Sequence, residues 1–114
     1  MKTVIWHNPR CSKSRAAVKL LEENGIEHDV RRYLEDAPTA ADIRDVLKAL
    51  DLPAISLVRT GEKAFKENGL SRDSGDDALV QAMAVHPILI ERPVVMSGRK
   101  AAIGRPPEAV LGLF

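Results

Sequence analysis

The sequence predicts an α/β protein in which a mixed sheet is flanked by helices. Three observations support this: short apolar runs rich in β-branched residues, longer segments with apolar residues at helical spacing, and Gly or Pro between them. The expected order is a βαβ half, a helical insertion and a ββα half. A strand-helix-strand unit implies parallel pairing and a late hairpin adds an antiparallel strand, so the sheet is expected to be mixed.

The first part of the chain is predicted to form the βαβ half. Residues 3–6 (Thr-Val-Ile-Trp) are typical of a short buried strand. Apolar residues at helical spacing predict a helix over residues 12–24, with Gly25 as its C-terminal stop. Residues 28–33 are predicted to form the second strand, and two adjacent arginines within it favour an exposed edge.

The middle of the chain is predicted to be helical. Thr39 and Asp42 are typical of a capping box, and apolar residues follow at i, i+3, i+4 and i+7, the cleanest amphipathic pattern of the sequence. Residues 54–58 and 62–68 are each expected to form a short helix, and residues 76–86 a longer one.

The last part of the chain is predicted to form the ββα half. Residues 94–96 indicate a strand, Ser97–Gly98 a tight turn, residues 99–103 a returning strand and residues 108–114 a short final helix. Since no repeat, low-complexity tract or linker divides the sequence, we expect a single domain over residues 1–114.

Composition narrows the functional classes. The net charge of +1 gives no bulk basic field, so neither nucleic acid nor a membrane is expected as a partner. The N-terminal apolar run is too short for a signal peptide, and no segment approaches the roughly 18 apolar residues of a membrane span. The single cysteine excludes an internal disulfide and fits a reducing compartment. We therefore expect a cytoplasmic protein, and, without a long apolar surface stripe, a monomer.

Cys11 lies at the predicted strand-to-helix turn. A thiol there is at the positive end of a helix, where backbone N–H groups without intrahelical partners lower its pKa and attract anions. Lys13 and Arg15 act in the same direction. A lone cysteine is often a buried small hydrophobe, but its flanks here are polar and turn-forming, so we predict a reactive thiolate.

Two neighbours of Cys11 have alternative roles. Ser14 is expected either to cap the helix or to donate a hydrogen bond to the thiolate or to a bound oxyanion. His7 is expected either to tune the ionisation of Cys11 or only to end the strand. The three histidines have no metal-ligand spacing, so no metal is predicted.

Spacing excludes several other chemistries. No second cysteine lies two or three residues from Cys11, so any redox cycle needs an external thiol. A cysteine-phosphatase loop requires an arginine six residues after the cysteine, where Ala17 stands. There is no Gly-rich nucleotide loop ending in Gly-Lys-Ser/Thr. Three further arginines, each at a predicted break in secondary structure, are individually compatible with ordinary surface residues: Arg59, Arg92 and Arg105.

The chain resembles the glutaredoxin-coupled arsenate reductases, a thioredoxin-like family, over nearly its whole length. The resemblance is carried by several motifs in the same order: His7-Asn8-Pro9 with Cys11 and Ser14-Arg15, Tyr33-Leu34-Glu35, Leu57-Val58-Arg59, His86-Pro87-Ile88-Leu89-Ile90-Glu91-Arg92-Pro93, and Gly104-Arg105-Pro106.

This resemblance implies a thioredoxin-like fold and an oxidoreductase of arsenical resistance that binds no cofactor. Cys11 would be the nucleophile, and Arg59, Arg92 and Arg105 would bind the oxyanion. His7 and Ser14 match residues that set the ionisation of the thiolate, and Pro93 matches a cis-proline. The implied substrate is arsenate, the implied co-substrate is glutathione, and the implied partner is glutaredoxin, which removes glutathione from the mixed disulfide.

Two other functions stay open at this stage. Arg10 occupies a position that is small in the plasmid-borne resistance enzymes, and this extra charge is compatible with another oxidised substrate, as in a glutathione-dependent thiol/disulfide reductase. An Spx-type regulator that binds RNA polymerase shares the fold, but such proteins commonly carry a Cys-x-x-Cys switch, and position 14 here is serine.

Overall fold

Contacts within the chain define two compact units in the computed structural model, which describes residues 2–114. One unit combines the residues up to Asp36 with Arg92–Phe114, and the other is Ala37–Glu91. The first unit contains the sheet and the second contains three of the four α-helices. The expectation of a single domain over residues 1–114 stays a prediction.

The sheet has four strands: β1 Thr3–Trp6, β2 Asp29–Arg31, β3 Val94–Ser97 and β4 Lys100–Ile103. Their order is β2-β1-β3-β4, in which β1 is parallel to β2 and antiparallel to β3, and β3 is antiparallel to β4. The predicted mixed sheet, its parallel βαβ pair and its late hairpin are therefore confirmed. β2 lies at the edge, as its arginines indicated.

Two sheet boundaries differ from the prediction. The second strand was expected over residues 28–33 but ends at Arg31, because the backbone N–H groups of Glu35 and Asp36 donate to the Arg32 carbonyl and close a turn there. Ser97 was expected in the hairpin turn but pairs with Lys100 in the ladder, so the turn is formed by the next two residues. The Oγ of Ser97 lies 3.0 Å from the Thr3 Oγ1, and this buried hydroxyl pair explains how a serine is accommodated in the strand.

Helix α1, Ser12–Glu23, packs on one face of the sheet. Its residues Ala17 and Leu21 form a fully buried cluster with Ile5, Val95 and Val110. Val110 belongs to the last segment, Pro107–Leu113, which is a 3₁₀-helix and not the predicted α-helix. Gly25 follows α1 with a φ of 66°, a conformation that glycine adopts at little cost, so the predicted stop is confirmed.

The unit Ala37–Glu91 consists of α2 Ala40–Leu50, α3 Lys63–Glu67 and α4 Asp76–Val85, with 3₁₀ turns at Ala54–Leu57 and Pro87–Leu89. Helix α2 packs against α4. The predicted capping box is confirmed: the Asp42 N–H donates to the Thr39 Oγ1 at 3.1 Å, and the Thr39 N–H donates to the Asp42 Oδ2 at 3.0 Å. Within residues 2–114, no helix is long and apolar enough to cross a membrane.

Candidate active site

Cys11 is the residue immediately before α1, at its N-cap position, as the strand-to-helix turn predicted. The turn that carries it is held by two backbone hydrogen bonds: the Cys11 N–H donates to the Asn8 carbonyl, and the Arg15 N–H donates to the Cys11 carbonyl, each at 3.0 Å. The side chain is partly exposed and its thiol is free. A ligand in solvent can therefore reach the sulfur while the helix end fixes its position.

The surroundings of Cys11 lower the pKa of its thiol below the ordinary value. Partial burial raises the pKa, but this is outweighed by the backbone N–H groups of Ser14 and Lys13 and by the charge and hydrogen bond of Arg92. Within residues 2–114, the Cys11 side chain makes no hydrogen bond that meets the geometry of a helix cap. An effect of this sign is expected at the positive end of a helix.

Arg92 lies two residues before β3, and its guanidinium is close enough to the Cys11 sulfur for its charge and hydrogen bonding to lower the pKa of that thiol. The Nε and Nη1 atoms of Arg92 are buried, so its charge acts through less solvent than that of a surface arginine. The peptide bond between Arg92 and Pro93 is cis. Of the predicted oxyanion residues, Arg92 is thus brought to the nucleophile itself.

The segment after β4 forms hydrogen bonds with the loop that carries Arg92. The Gly104 N–H donates to the Pro93 carbonyl at 2.8 Å, and the Arg105 Nε donates to the Arg92 carbonyl at 2.9 Å. A Cβ on Gly104 would lie 2.5 Å from the Pro93 Cγ, so only glycine permits this approach. Sequence analysis assigned Gly104 no role of its own. A glycine beside a predicted site arginine was the available signal.

His7 and Ser14 form a polar cluster beneath the Cys11 turn. The Ser14 side chain is fully buried, its Oγ lies 2.6 Å from the His7 Nδ1, and it accepts a hydrogen bond from the Asn8 N–H at 3.0 Å. Burial lowers the pKa of His7, and the charges of Arg32 and Arg15 lower it further. The Ser14 Oγ thus links His7 to the Asn8 N–H, while the backbone N–H of Ser14 acts on the Cys11 thiol.

Arg15 contacts the turn that carries Cys11. Its Nη1 donates to the Pro9 carbonyl at 2.9 Å, from an exposed position on α1. The Arg10 N–H donates to the Asn8 Oδ1 at 3.0 Å, which closes a second link within the same loop. Arg15 therefore holds the loop before Cys11 in addition to contributing its charge near His7.

Arg59 lies in the unit Ala37–Glu91, between two carboxylates. Its Nη1 forms an ion pair with the Glu62 Oε1, and its Nε lies 3.9 Å from the Glu91 Oε1. The Arg59 N–H donates to the Leu89 carbonyl at 2.7 Å, which fixes its backbone beside the isolated bridge between Val58 and Ile90. Neither carboxylate was predicted from the sequence, and the joint action of the three arginines stays a prediction.

The other two histidines of the chain are His28 and His86. The His28 Nδ1 lies 2.9 Å from the Ile26 carbonyl, and His86 follows α4 directly. In the part of the chain that the structure describes, no group of three or more His, Cys, Asp or Glu side chains has an arrangement that could hold a metal ion.

Comparisons with known proteins agree with this architecture. The chain is 47% identical to an arsenate reductase of Neisseria meningitidis serogroup A over 108 residues, 93% of this chain and 92% of that protein. It is 51% identical to the uncharacterized protein YfgD of Escherichia coli K12 over 109 residues, 94% of this chain and 92% of that protein. A solved arsenate reductase from Vibrio cholerae superposes with a TM-score of 0.95 at 44% identity, covering 100% of this chain and 98% of the other.

These likenesses extend over nearly the whole chain and confirm the predicted thioredoxin-like α/β fold. The sequence model of the ArsC family matches residues 6–113, which include the Cys11 turn and all four strands except the first residues of β1. The chain belongs to the ArsC family.

Proposed function

We propose that this protein is an arsenate reductase in which Cys11 is the nucleophile and glutathione and glutaredoxin supply the electrons. The observation that carries the proposal is the setting of Cys11. A partly exposed thiol with a lowered pKa lies at a helix N-terminus and is hydrogen-bonded by the Arg92 guanidinium. The names of two relatives, at 47% and 44% identity, support arsenate as the oxyanion.

The proposed reaction begins with a bond between sulfur and arsenic. The Cys11 thiolate attacks the arsenic(V) atom, and one arsenate oxygen leaves as hydroxide or water. The glutathione thiol then attacks the Cys11 sulfur, and the electron pair of the S–As bond stays on arsenic, which leaves as arsenite. Cys11 is then a mixed disulfide with glutathione. A glutaredoxin thiol takes the glutathione from it and restores the free thiol.

Electrostatics supports the first step. Arsenate is an anion, so it is repelled by a thiolate unless positive groups offset the repulsion. The helix end and Arg92 already lower the pKa of Cys11, and the same positive groups favour an anion beside it. A low thiol pKa also serves thiol/disulfide exchange, so the preference for an oxyanion rests on the three arginines, which a neutral disulfide would not need.

Arg105 and Arg59 are proposed to complete the oxyanion site. Arg105 is exposed and shares the unit of Cys11, where its Nε donates to the Arg92 carbonyl. Its position beside Arg92 supports a role for its other guanidinium nitrogens. The role of Arg59, in the other unit, rests on the resemblance of the Leu57-Val58-Arg59 motif.

The need for an external reductant is supported by the position where a second cysteine would have to lie. Ser14 takes that position, and its hydroxyl is fully buried against His7. Since free thiols such as glutathione are maintained in reducing compartments, the proposed reaction fits a cytoplasmic enzyme, which we expect to act as a monomer.

The test is a coupled assay of NADPH oxidation with arsenate, glutathione, glutaredoxin and glutathione reductase. We expect turnover by the wild type and a loss of at least about a thousand-fold in the Cys11→Ser variant, because the nucleophile is removed. No turnover above the Cys11→Ser control would overturn the proposal. Reduction of a glutathione mixed disulfide without arsenate turnover would identify a thiol/disulfide reductase. Recovery of RNA polymerase in stoichiometric amounts in a pull-down from lysate would identify a regulator.

A further inference from the structure

We propose that a cleft beside the Cys11 loop binds the α-amino acid end of the external thiol, with Arg10 and Arg32 at its carboxylate and Glu35 at its ammonium group. The proposal deepens the proposed function, because it assigns a binding site to the co-substrate that would reduce the Cys11 adduct. Its test nevertheless uses no arsenate, so the two can fail separately.

The cleft has a volume of about 230 Å³ and lies entirely within the unit that contains the sheet. One wall is the loop that leads from His7 to Arg10, the residue before Cys11. The other wall is the turn that follows β2 and presents Arg32, Leu34 and Glu35. The cleft is therefore lined by the residue that directly precedes the nucleophile in the chain.

Both walls are held by hydrogen bonds independent of any ligand. The turn is closed by the Glu35 N–H, which donates to the Arg32 carbonyl at 3.0 Å, and it is anchored by Tyr33, whose side chain is 1% exposed. On the other side, the Arg10 N–H donates to the Asn8 Oδ1 at 3.0 Å. The charged side chains therefore extend from backbone that is already ordered. This order reduces the conformational entropy lost when a ligand binds.

The charges of the cleft match an α-amino acid. Two guanidinium groups, of Arg10 and Arg32, suit a carboxylate, which arginine recognises with paired N–H donors. The Glu35 carboxylate on the same rim would repel a simple anion but suits an ammonium group. Leu34 offers an apolar surface for the methylene groups that connect the two. The γ-glutamyl end of glutathione carries all three features, whereas its glycyl end carries only a carboxylate.

The dimensions are compatible with this placement. An extended tripeptide spans about 10 Å, so its amino acid end can occupy the cleft while its central thiol approaches the residue after Arg10. Another depression, of about 490 Å³, is lined by Lys2, Thr3 and His28 at the opposite end of β1, and no cysteine lines it. Of these two, the smaller cleft combines opposite charges with proximity in the chain to Cys11.

The experiment measures the second-order rate at which Cys11 forms a mixed disulfide, followed by intact-protein mass spectrometry. The Cys11 thiolate attacks a symmetric disulfide, one S–S bond forms with the protein, and one thiolate is released. Three disulfides are compared: those of glutathione, of γ-glutamylcysteine, which keeps the α-amino acid end, and of cysteinylglycine, which lacks it. Comparing each variant with wild type for the same disulfide cancels the intrinsic reactivity of the reagents.

We expect Arg32→Gln and Glu35→Gln each to slow the reaction with the two γ-glutamyl disulfides by about three- to five-fold, as for exposed ion pairs. The cysteinylglycine disulfide should react at an unchanged rate. The matched control is Arg99→Gln, an exposed arginine in the β3–β4 turn outside the cleft, which should change none of the rates. Alkylation by neutral iodoacetamide, measured in parallel, corrects for any change in the thiolate itself.

Glu35→Gln separates the proposal from simple attraction of anions. If the cleft only concentrates negative charge, removing the Glu35 carboxylate will raise the rates with glutathione disulfide, and the proposal is wrong. Equal slowing of all three disulfides by Arg32→Gln would also overturn it. Selectivity for γ-glutamyl disulfides in a protein that does not turn over arsenate would support the cleft and reject only the proposed substrate.

Discussion

Arg92 and Arg59 come from the two compact units and have different neighbours: Arg92 acts on a thiol, whereas Arg59 lies against two carboxylates. Arg92 precedes β3 in the sheet-containing unit, where its guanidinium hydrogen-bonds the Cys11 sulfur and lowers the pKa of that thiol. Arg59 follows a 3₁₀ turn in the other unit, where its guanidinium lies against Glu62 and Glu91. In the sequence, both are arginines at a break in secondary structure and look alike.

The difference shows what each arginine can contribute. The charge of Arg92 acts on a group that becomes negative only when the thiol ionises, so it favours the reactive form of Cys11 directly. The charge of Arg59 is already balanced by carboxylates, so an oxyanion that binds it must compete with them. We therefore expect Arg92 to affect the nucleophile strongly and Arg59 to affect only the anion.

The largest expected effect is the loss of turnover when Arg92 is substituted, compared with the same substitution of Arg59. In Arg92→Ala, removal of the positive charge and hydrogen bond raises the pKa of Cys11, and turnover of arsenate should fall by about 10²–10³-fold, as for the loss of one oxyanion donor. The pH midpoint of iodoacetamide alkylation should rise in this variant and stay at the wild-type value in Arg59→Ala. Equal midpoints in the two variants would contradict the comparison.

Gly104→Ala tests whether the position of Arg92 depends on its support. The added Cβ would lie 2.5 Å from the Pro93 Cγ and 3.3 Å from the Val110 Cγ1, so the loop has to move. We expect the free energy of unfolding to fall by about 1–3 kcal/mol, measured in urea, because the site is overpacked. The alkylation midpoint of Cys11 should also rise toward that of Arg92→Ala.

Gly61→Ala is the matched control for that substitution, since a Cβ at Gly61 meets no atom within 4 Å. It should leave the alkylation midpoint unchanged. If Gly104→Ala alters neither stability nor the midpoint, the close approach of this glycine does not hold the loop of Arg92.

The part of this site that sequence predicts is local. The turn residues before Cys11 and the apolar spacing after it predicted that α1 would begin at Ser12, because caps and periodicity are set by neighbouring residues. The capping box of Thr39 and Asp42 was predicted for the same reason. The alternation of strands and helices was sufficient for the mixed sheet.

Contacts that depend on tertiary packing could not be predicted from local sequence patterns. The predicted roles of Ser14 were to cap the helix or to donate to the thiolate or to a bound oxyanion, and the sequence did not indicate that its hydroxyl lies 2.6 Å from the His7 Nδ1. Glu62, three residues after Arg59, had a spacing that suggests an ion pair, whereas Glu91 is brought to Arg59 only by the fold. Such pairs depend on tertiary packing, which no local periodicity encodes.

Glu62→Gln tests whether Arg59 binds the oxyanion, because it removes one of the two carboxylates beside Arg59. Removing one of the two carboxylates leaves more of the Arg59 charge available to an anion, so we expect the KM for arsenate to fall by about two- to five-fold, with kcat little changed. Glu67→Gln, which breaks the exposed pair between Lys63 and Glu67 on α3, is the control with the same change in net charge. Equal KM values in both variants would argue that Arg59 does not bind the oxyanion.

The smallest expected effect is the pH dependence of stability, which we expect to arise at His7 in the sheet-containing unit. Burial lowers the pKa of His7, and the charges of Arg32 and Arg15 lower it further, so in acid the unfolded chain binds a proton that the folded protein binds less readily. Stability is therefore lost as the pH falls below about 6.5, the ordinary value for histidine. Urea unfolding at about pH 7.5 and about pH 5.5 should show a smaller decrease in His7→Gln than in wild type, and also in Arg32→Gln, where one of the repelling charges is gone. If His7→Gln loses as much stability as wild type over this interval, the acid sensitivity does not come from the imidazole beneath Cys11.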